Sequence, residues 1–266
     1  MSMDANTRRM TSRSEIIHLA HVVWYRALAE LRAEATRTYA GYLWWILQPL
    51  LMFVVYFVAF KFVLKYQRED FAVFLFTGII FWQWFSVTVQ RCSGSLIASK
   101  GLMLQVNLHK SIFPLSIIMV NSVKFFVTMM ILFAVLAIQG HTPGLAWLSL
   151  PVLLIVELLV IAGFGCAAAM ISPFVPDFQH ILATVLHLMF FVSGIIYDLA
   201  ILPEQYQRIL GLNPMAIVIA QSRLILMENR LPDGGYLAIP FLMGSALLVC
   251  SMILIHRFDK VYPKLG

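Results

Sequence analysis

In a chain of 266 residues, a hydrophobic share of 61%, a charged share of 12% and a mean hydropathy of +0.86 exclude a water-soluble enzyme or binding module, where apolar residues make up roughly 45–50% and charged ones about 25%. The pattern is that of an all-α integral membrane protein, because barrel strands would be segments of about 10 residues with strict alternation. The formal net charge of +6 follows from Lys and Arg flanking apolar runs, and no basic patch with interleaved aromatics suggests a nucleic-acid partner.

Residues 1–37 read as a cytoplasmic arm ending in an amphipathic interfacial helix. In SEIIHLAHVVWYRALAELRAEATR, residues 14–37, Ile17, Ala20, Trp24, Leu28 and Leu31 recur at the spacing of one helical face. Ser14 is placed to cap the start, and Arg26 and Glu30 stand four apart on the other side. Such a helix lies flat against the membrane, and a soluble arm docking on a partner is the alternative. Residues 1–36 lack the 7-to-15-residue apolar core of a cleaved signal, so the first span is expected to direct insertion.

Residues 38–266 carry six apolar runs near the ~20 residues that cross a bilayer at 1.5 Å each, namely 43–64, 71–90, 112–138, 147–171, 180–197 and 236–256. Twelve Lys and Arg, among them Arg26, Arg91, Lys100, Lys110 and Arg257, fall on the side of the N-terminus, against six on the other. Lys124 lies within a span. The asymmetry places both termini in the cytoplasm. Cys92, Cys166 and Cys250 are isolated in or beside spans, which suggests neither a disulfide framework nor a metal site.

The connections are as informative as the spans. The segment 93–113 mixes Leu102, Met103, Leu104 and Val106 with Lys100, Asn107, His109 and Lys110, and apolar side chains on a polar loop need cover from lipid or protein. Between spans five and six, 198–235 contains two short helical stretches around Asn213 and Pro214, which fits a re-entrant hairpin or an amphipathic external loop. The nearest approach to a phosphate-binding loop, GSLIASKG at Gly94–Gly101, lacks the second Gly before Lys and the hydroxyl residue after it. No HExxH, GxSxG or Cys/His grouping is present. Any ATP-driven step therefore falls to another chain.

Two stripes mark a possible pathway. At 100° per residue, Tyr42, Trp45, Pro49, Met52, Phe53, Tyr56 and Phe60 share about one third of the first helix, with Gln48 at the margin. His180, Thr184, His187, Phe191 and Gly194 form a second stripe on the fifth span. An interfacial aromatic belt explains Tyr42 and Trp44 but not Tyr56. Flat rings with phenol and imidazole groups suit sugars, so the stripes line a glycan conduit or pack helix against helix. Lys124 and Glu157, on adjacent spans at depths within reach of a Lys stem, are expected to form an intramembrane ion pair.

AGYLWWILQPLL (residues 40–51), the helix before it, Phe113–Pro114, SGIIY at Ser193–Tyr197, and Leu212–Pro214 followed by Arg223 together resemble the permease subunit of ABC type-2 polysaccharide exporters. Where many relatives carry Arg-Asp after the fourth span and Ser-Pro near the end of the fifth, this chain has Pro176–Asp177 and Ser193–Gly194. The resemblance implies a homodimer in the bacterial inner membrane, joined by two copies of an ATPase chain that binds ATP and Mg, moving a lipid-linked glycan such as O-antigen, capsule or teichoic acid. It implies that the first and fifth spans border the pathway. Trp24, Leu28, Lys100, Leu102, Met103, Leu104, Asn107, His109 and Lys110 are then the candidate ATPase-docking residues. A secondary transporter or a membrane-embedded glycolipid transferase is the competing reading, for which a midplane relay or a carboxylate cluster would be expected.

Overall fold

The computed structural model describes residues 3–37, 41–63, 65, 70–105, 108–198, 201, 203, 205, 207, 210–259 and 262, with the backbone alone at 3–16, 18, 35 and 37. Among these residues every regular element is helical. Helix α1 (Met3–Arg37) precedes α2 (Leu43–Phe57), whose last turns widen into a π-helical stretch at Val58–Val63. Then come α3 (Phe71–Ala98), a short α4 (Lys100–Gln105), α5 (Ile112–Ile138), α6 (Leu150–Ile171), α7 (Phe178–Val192), α8 (Pro214–Leu226) and α9 (Gly234–Arg257).

Among the described residues, five stretches are long and apolar enough to cross a membrane: Leu43–Val63, Phe71–Ala98, Ile112–Ile138, Leu145–Phe174 and Gly234–Arg257. The helices α7 and α8 are apolar but shorter. The third span falls where the sequence puts it, at 112–138. The second runs past residue 90 to Ala98, so Ser93–Ala98 belongs to a helix and not to the expected loop. Burial of Cys92, Ser93, Ser95 and Leu96 holds that extension in place, and Ser93 donates to the Gln90 carbonyl within its own helix at 2.6 Å. At the N-terminus α1 begins at Met3, which leaves Ser14 inside the helix and not at its cap.

Helix α3 is buried on most sides and is the centre of the bundle, with Phe74, Phe76, Phe81 and Phe85 fully buried. It packs against α5 and α6, and α6 packs in turn along α9. The α6–α9 crossing is set by Gly163 and Gly244, where the two backbones touch and no side chain intervenes.

Long-range contacts define two ends of the bundle. At one, α1 lies across α5, burying Ala27, Leu31 and Val120, and Lys110 pairs with Asp259 at 3.5 Å just beyond α9. There His109 also stacks on His256 at 5.2 Å, so α1 and the C-terminal end of α9 share one end. At the other, Asn229 accepts from the Ala146 amide and His141 meets the Met227 carbonyl.

The fifth predicted span stops early. Its helix ends at Val192 and not at residue 197, because Gly194 takes a left-handed backbone (φ 67°) that terminates the helix. The carbonyls freed there find a donor in α8. Arg223 is buried and donates four hydrogen bonds: Nη1 to Gly194 at 2.7 Å, Nη2 to Ile195 at 2.7 Å, and Nε and Nη2 to Phe74 at 3.2 and 3.0 Å. Its guanidinium lies over the Phe74 ring at 3.3 Å. Asn213 caps α8 through the Met215 amide and donates to Ser193 Oγ at 2.9 Å. The second half of the expected hairpin is therefore a buried helix that fastens the ends of α3 and α7. Much of its first half lies outside the described residues.

Candidate transport site

The tilt of α1 onto the bundle is decided by charge as much as by apolar burial. Its docked face is Val23, Ala27 and Leu31; of the expected apolar face Leu31 is thus buried, whereas Ile17 and Trp24 are about half exposed. Arg26 and Glu30, expected on the far side, point inward. Arg26 donates to Ser99 Oγ at 2.8 Å and sits 4.4 Å from the centre of the Phe113 ring. Glu30 and Glu34 both accept from Arg91 of α3, at 2.7 and 2.6 Å. Arg91 also donates to Asn121 Oδ1 of α5 at 3.0 Å.

Lys124 belongs to the same network, and this corrects the expected ion pair. Its ammonium pairs with Glu34 of α1, not with Glu157. Glu157 is fully buried in α6, and neither of its carboxyl oxygens has a hydrogen-bond partner among the described residues. The physical reason is that α1 covers α5 on the side carrying Lys124 and supplies a carboxylate there, a neighbour that span-depth arithmetic leaves out. Burial alone would raise the Glu34 carboxyl, but the hydrogen bond from Lys124 and the Arg91 charge outweigh it and hold Glu34 below its ordinary 4.5. The stability that Glu34 contributes is thus complete at neutral pH and is lost as pH falls through its lowered value. In a double-mutant cycle in detergent, Lys124→Met and Glu34→Gln are expected to couple by roughly 1 kcal/mol, the double variant being less destabilised than the sum of the singles. Additive losses would show that the pair contributes nothing.

Two cavities flank α2. The first, of about 310 Å³, lies between α2, α3, α5 and the end of α1, with Trp45, Gln48 and Pro49 on its wall. The second, of about 300 Å³, lies between α2, α3 and α7 and is lined by Met52, Tyr56, Trp82, Arg91, His187 and Phe190 among others. Tyr56 stacks on Phe190 at 4.9 Å, and His187 meets Phe191 edge-on at 5.7 Å. Gln83 donates weakly to Met52 Sδ at 3.8 Å.

The predicted stripes are therefore only partly joined. Met52, Tyr56 and His187 share a cavity. Phe53 and Phe60 instead pack on Phe76 and Phe71 of α3, at 5.1 and 6.5 Å. Tyr42 leans on Trp45 at 4.7 Å, away from the α7 stripe, and Tyr42, His180, Thr184 and Phe191 are exposed. Sequence reasoning missed Phe190, Trp82 and Arg91 as lining residues. A ring or charge on the apolar face of α7 or near the end of α3 was the available signal.

The candidate docking residues separate as well. Leu102 and Leu104 are exposed, Trp24 is half exposed and Leu28 partly buried. Met103 is buried in the core, and Lys110 is buried against Asp259 and the Leu108 carbonyl at 3.1 Å. Met103 is the side chain by which the short α4 attaches to the core, and Lys110, beyond α4, is held in place by its own ion pair. His109 is exposed yet held by His256. Asn107 lies outside the described residues.

Comparison with known proteins agrees with this architecture. The O-antigen export system permease protein RfbA of Klebsiella pneumoniae is 28% identical over 237 residues, covering 89% of this chain and 91% of that one. RfbA of Myxococcus xanthus is 27% identical over 235 residues, with 88% of each covered. The polysialic acid transport protein KpsM of Escherichia coli is 27% identical over 221 residues, covering 79% of this chain and 84% of that one. The ABC-2 type transporter family matches residues 23–227, from the docked half of α1 to the end of α8. With a match of that extent, the chain belongs to the ABC-2 type transporter family, as one of its membrane-spanning permeases.

Proposed function

We propose that this chain is the transmembrane subunit of an ATP-driven exporter that carries a lipid-linked polysaccharide, of the O-antigen type, from the cytoplasm to the periplasm. The observation that carries the reading is the α2–α3–α7 cavity, where Tyr56, Trp82, His187 and Phe190 offer ring faces beside a phenol and an imidazole. Such a wall binds the apolar face of a pyranose while answering its hydroxyls, and binds no one sugar tightly enough to halt a moving chain. The relatives named for O-antigen export and polysialic acid transport support the substrate class.

A homodimer completes the pathway. His180, Thr184 and Phe191 are exposed on one protomer, and a second copy facing α2 and α7 would enclose them. Six crossings result if α7 crosses with its irregular extension, and α8 is then a re-entrant helix on the periplasmic side. Both termini face the cytoplasm of the inner membrane, where the charge asymmetry puts them. Two copies of an ATPase chain, which bind ATP and Mg, dock against Leu102 and Leu104 with Trp24 and Lys100 at the rim. The power stroke then reaches the bundle through α1, whose Glu30 and Glu34 grip α3 and α5.

In cells, Tyr56→Ala and His187→Ala are expected to lower surface glycan at least about fivefold at unchanged permease level. Leu153→Ala, in the buried core, should lower protein level and leave export per molecule unchanged. Full export in both cavity variants would remove the α2–α7 surface from the pathway.

A further inference from the structure

We infer that the other cavity, behind α2 and between α1, α3 and α5, is a binding site for a single pyranose ring. At about 310 Å³ it falls in the range of small-ligand pockets, about 300–1,000 Å³. Three indoles line it, those of Trp44, Trp45 and Trp84, and Trp44 is 47% exposed, so part of its surface remains open. Gln48, Gln83 and Asn121 supply amides to the same wall.

Two buried donors on that wall have no partner among the described residues: Asn121 Nδ2 and Trp84 Nε1. Arg91 fixes the Asn121 amide by donating to its oxygen at 3.0 Å, which commits the nitrogen to a different acceptor. The Trp84 ring is held by stacking on Phe125 at 4.0 Å, so its N–H is equally committed. Buried donors left without acceptors are destabilising, and a ligand carrying acceptors recovers part of that loss.

Charge decides which ligand fits. Arg91 and Lys124 are matched by Glu30 and Glu34 in one interlocked network, so a phosphate entering the cavity finds no surplus positive charge. An acyl chain would strip water from Lys124, Glu34 and three amides and give nothing back. A pyranose has one apolar face for an indole and hydroxyls that both donate and accept. The site is distinct from the α2–α3–α7 surface and stands whether or not that surface conducts glycan.

The test uses the full chain in lipid nanodiscs and native mass spectrometry. The probes are octyl β-glucoside, octyl N-acetyl-β-glucosaminide and octyl α-mannoside below their micellar concentrations, with octyl phosphate and octanol as competitors. At least one glycoside is expected to bind saturably, at least about tenfold more weakly in Trp44→Ala and about threefold more weakly in Trp84→Phe, which keeps the ring stack and removes only the N–H. Neither competitor should displace it, and Tyr56→Ala should leave binding unchanged, which separates this site from the proposed conduit. The inference is overturned if no glycoside saturates, if octyl phosphate or octanol competes equally, if binding is unchanged in Trp84→Phe, or if Tyr56→Ala abolishes it. Should Trp44→Ala fail to fold, Trp84→Phe and the competition arms decide the question.

Discussion

Arg223→Met is expected to destabilise the protein by on the order of 3–5 kcal/mol, the largest loss from any polar side chain described. The guanidinium serves three carbonyls, those of Phe74, Gly194 and Ile195, none of which has water to turn to in a buried site. Methionine fills the volume but withdraws the charged donor from all three. Arg223→Lys should recover only part of the loss, because an ammonium cannot reproduce the planar fork that reaches two helix ends at once. Gly78→Ala attacks the same junction from the other side, since its methyl would stand 2.6 Å from Arg223 Nη2. Thermal unfolding in detergent reads all three. A Met variant within about 1 kcal/mol of the parent would mean that α8 is held by apolar packing alone.

The second large effect is expected at the α6–α9 crossing. A Cβ on Gly244 would lie 2.7 Å from the Val160 amide nitrogen and 2.9 Å from the Leu159 carbonyl oxygen, and one on Gly163 would lie 2.5 Å from the Gly244 carbonyl oxygen. In a helix interior Ala is favoured over Gly by about 1 kcal/mol. Overpacking typically costs about 1–3 kcal/mol and is felt more where the obstacle is backbone, which has no rotamer to change. The steric term should win, with Gly244→Ala losing about 2 kcal/mol and Gly244→Val failing to accumulate. Gly101→Ala is the control, because nothing stands within 4 Å of its Cβ position. Equal stability of Gly101→Ala and Gly244→Ala would show that the two helices separate at little cost.

What sequence could reach follows from which interactions are local. Apolar length placed the third span at 112–138 and the start of the second at Phe71, because lipid-facing and core-facing residues are both apolar and the run itself is the signal. The same indifference hid which face of a helix meets protein. For α1 the apolar periodicity selected Ile17, Ala20, Trp24, Leu28 and Leu31, of which Leu31 is buried and Leu28 partly so, yet the stripe continues through Val23 and Ala27 and leaves Ile17 and Trp24 half exposed, because Glu30 and Glu34 are drawn to Arg91 and Lys124 across the chain. No pattern within α1 announces those partners.

The partner of Lys124 was misjudged for a related reason: depth within a span is legible, but the azimuth around the bundle is not. The early end of α7 was partly legible in Gly194, whereas its fastening by Arg223 from beyond residue 200 was not. In the stripes, Tyr56 and His187 line one cavity, whereas Phe53 packs against Phe76. Aromatic side chains at helical spacing serve either end equally well.

The central claim, that glycan passes along the α2–α7 surface, is tested most directly by photocrosslinking in cells that export it. A benzophenone amino acid is placed at Tyr56, at His187, and at Ile155, which is exposed on α6 away from both cavities. Irradiation during export, followed by detection of glycan on the purified permease, should give adducts at positions 56 and 187 and none above background at 155. Adducts at 155 equal to those at 56, or none at 56 and 187 while export continues, would contradict the account.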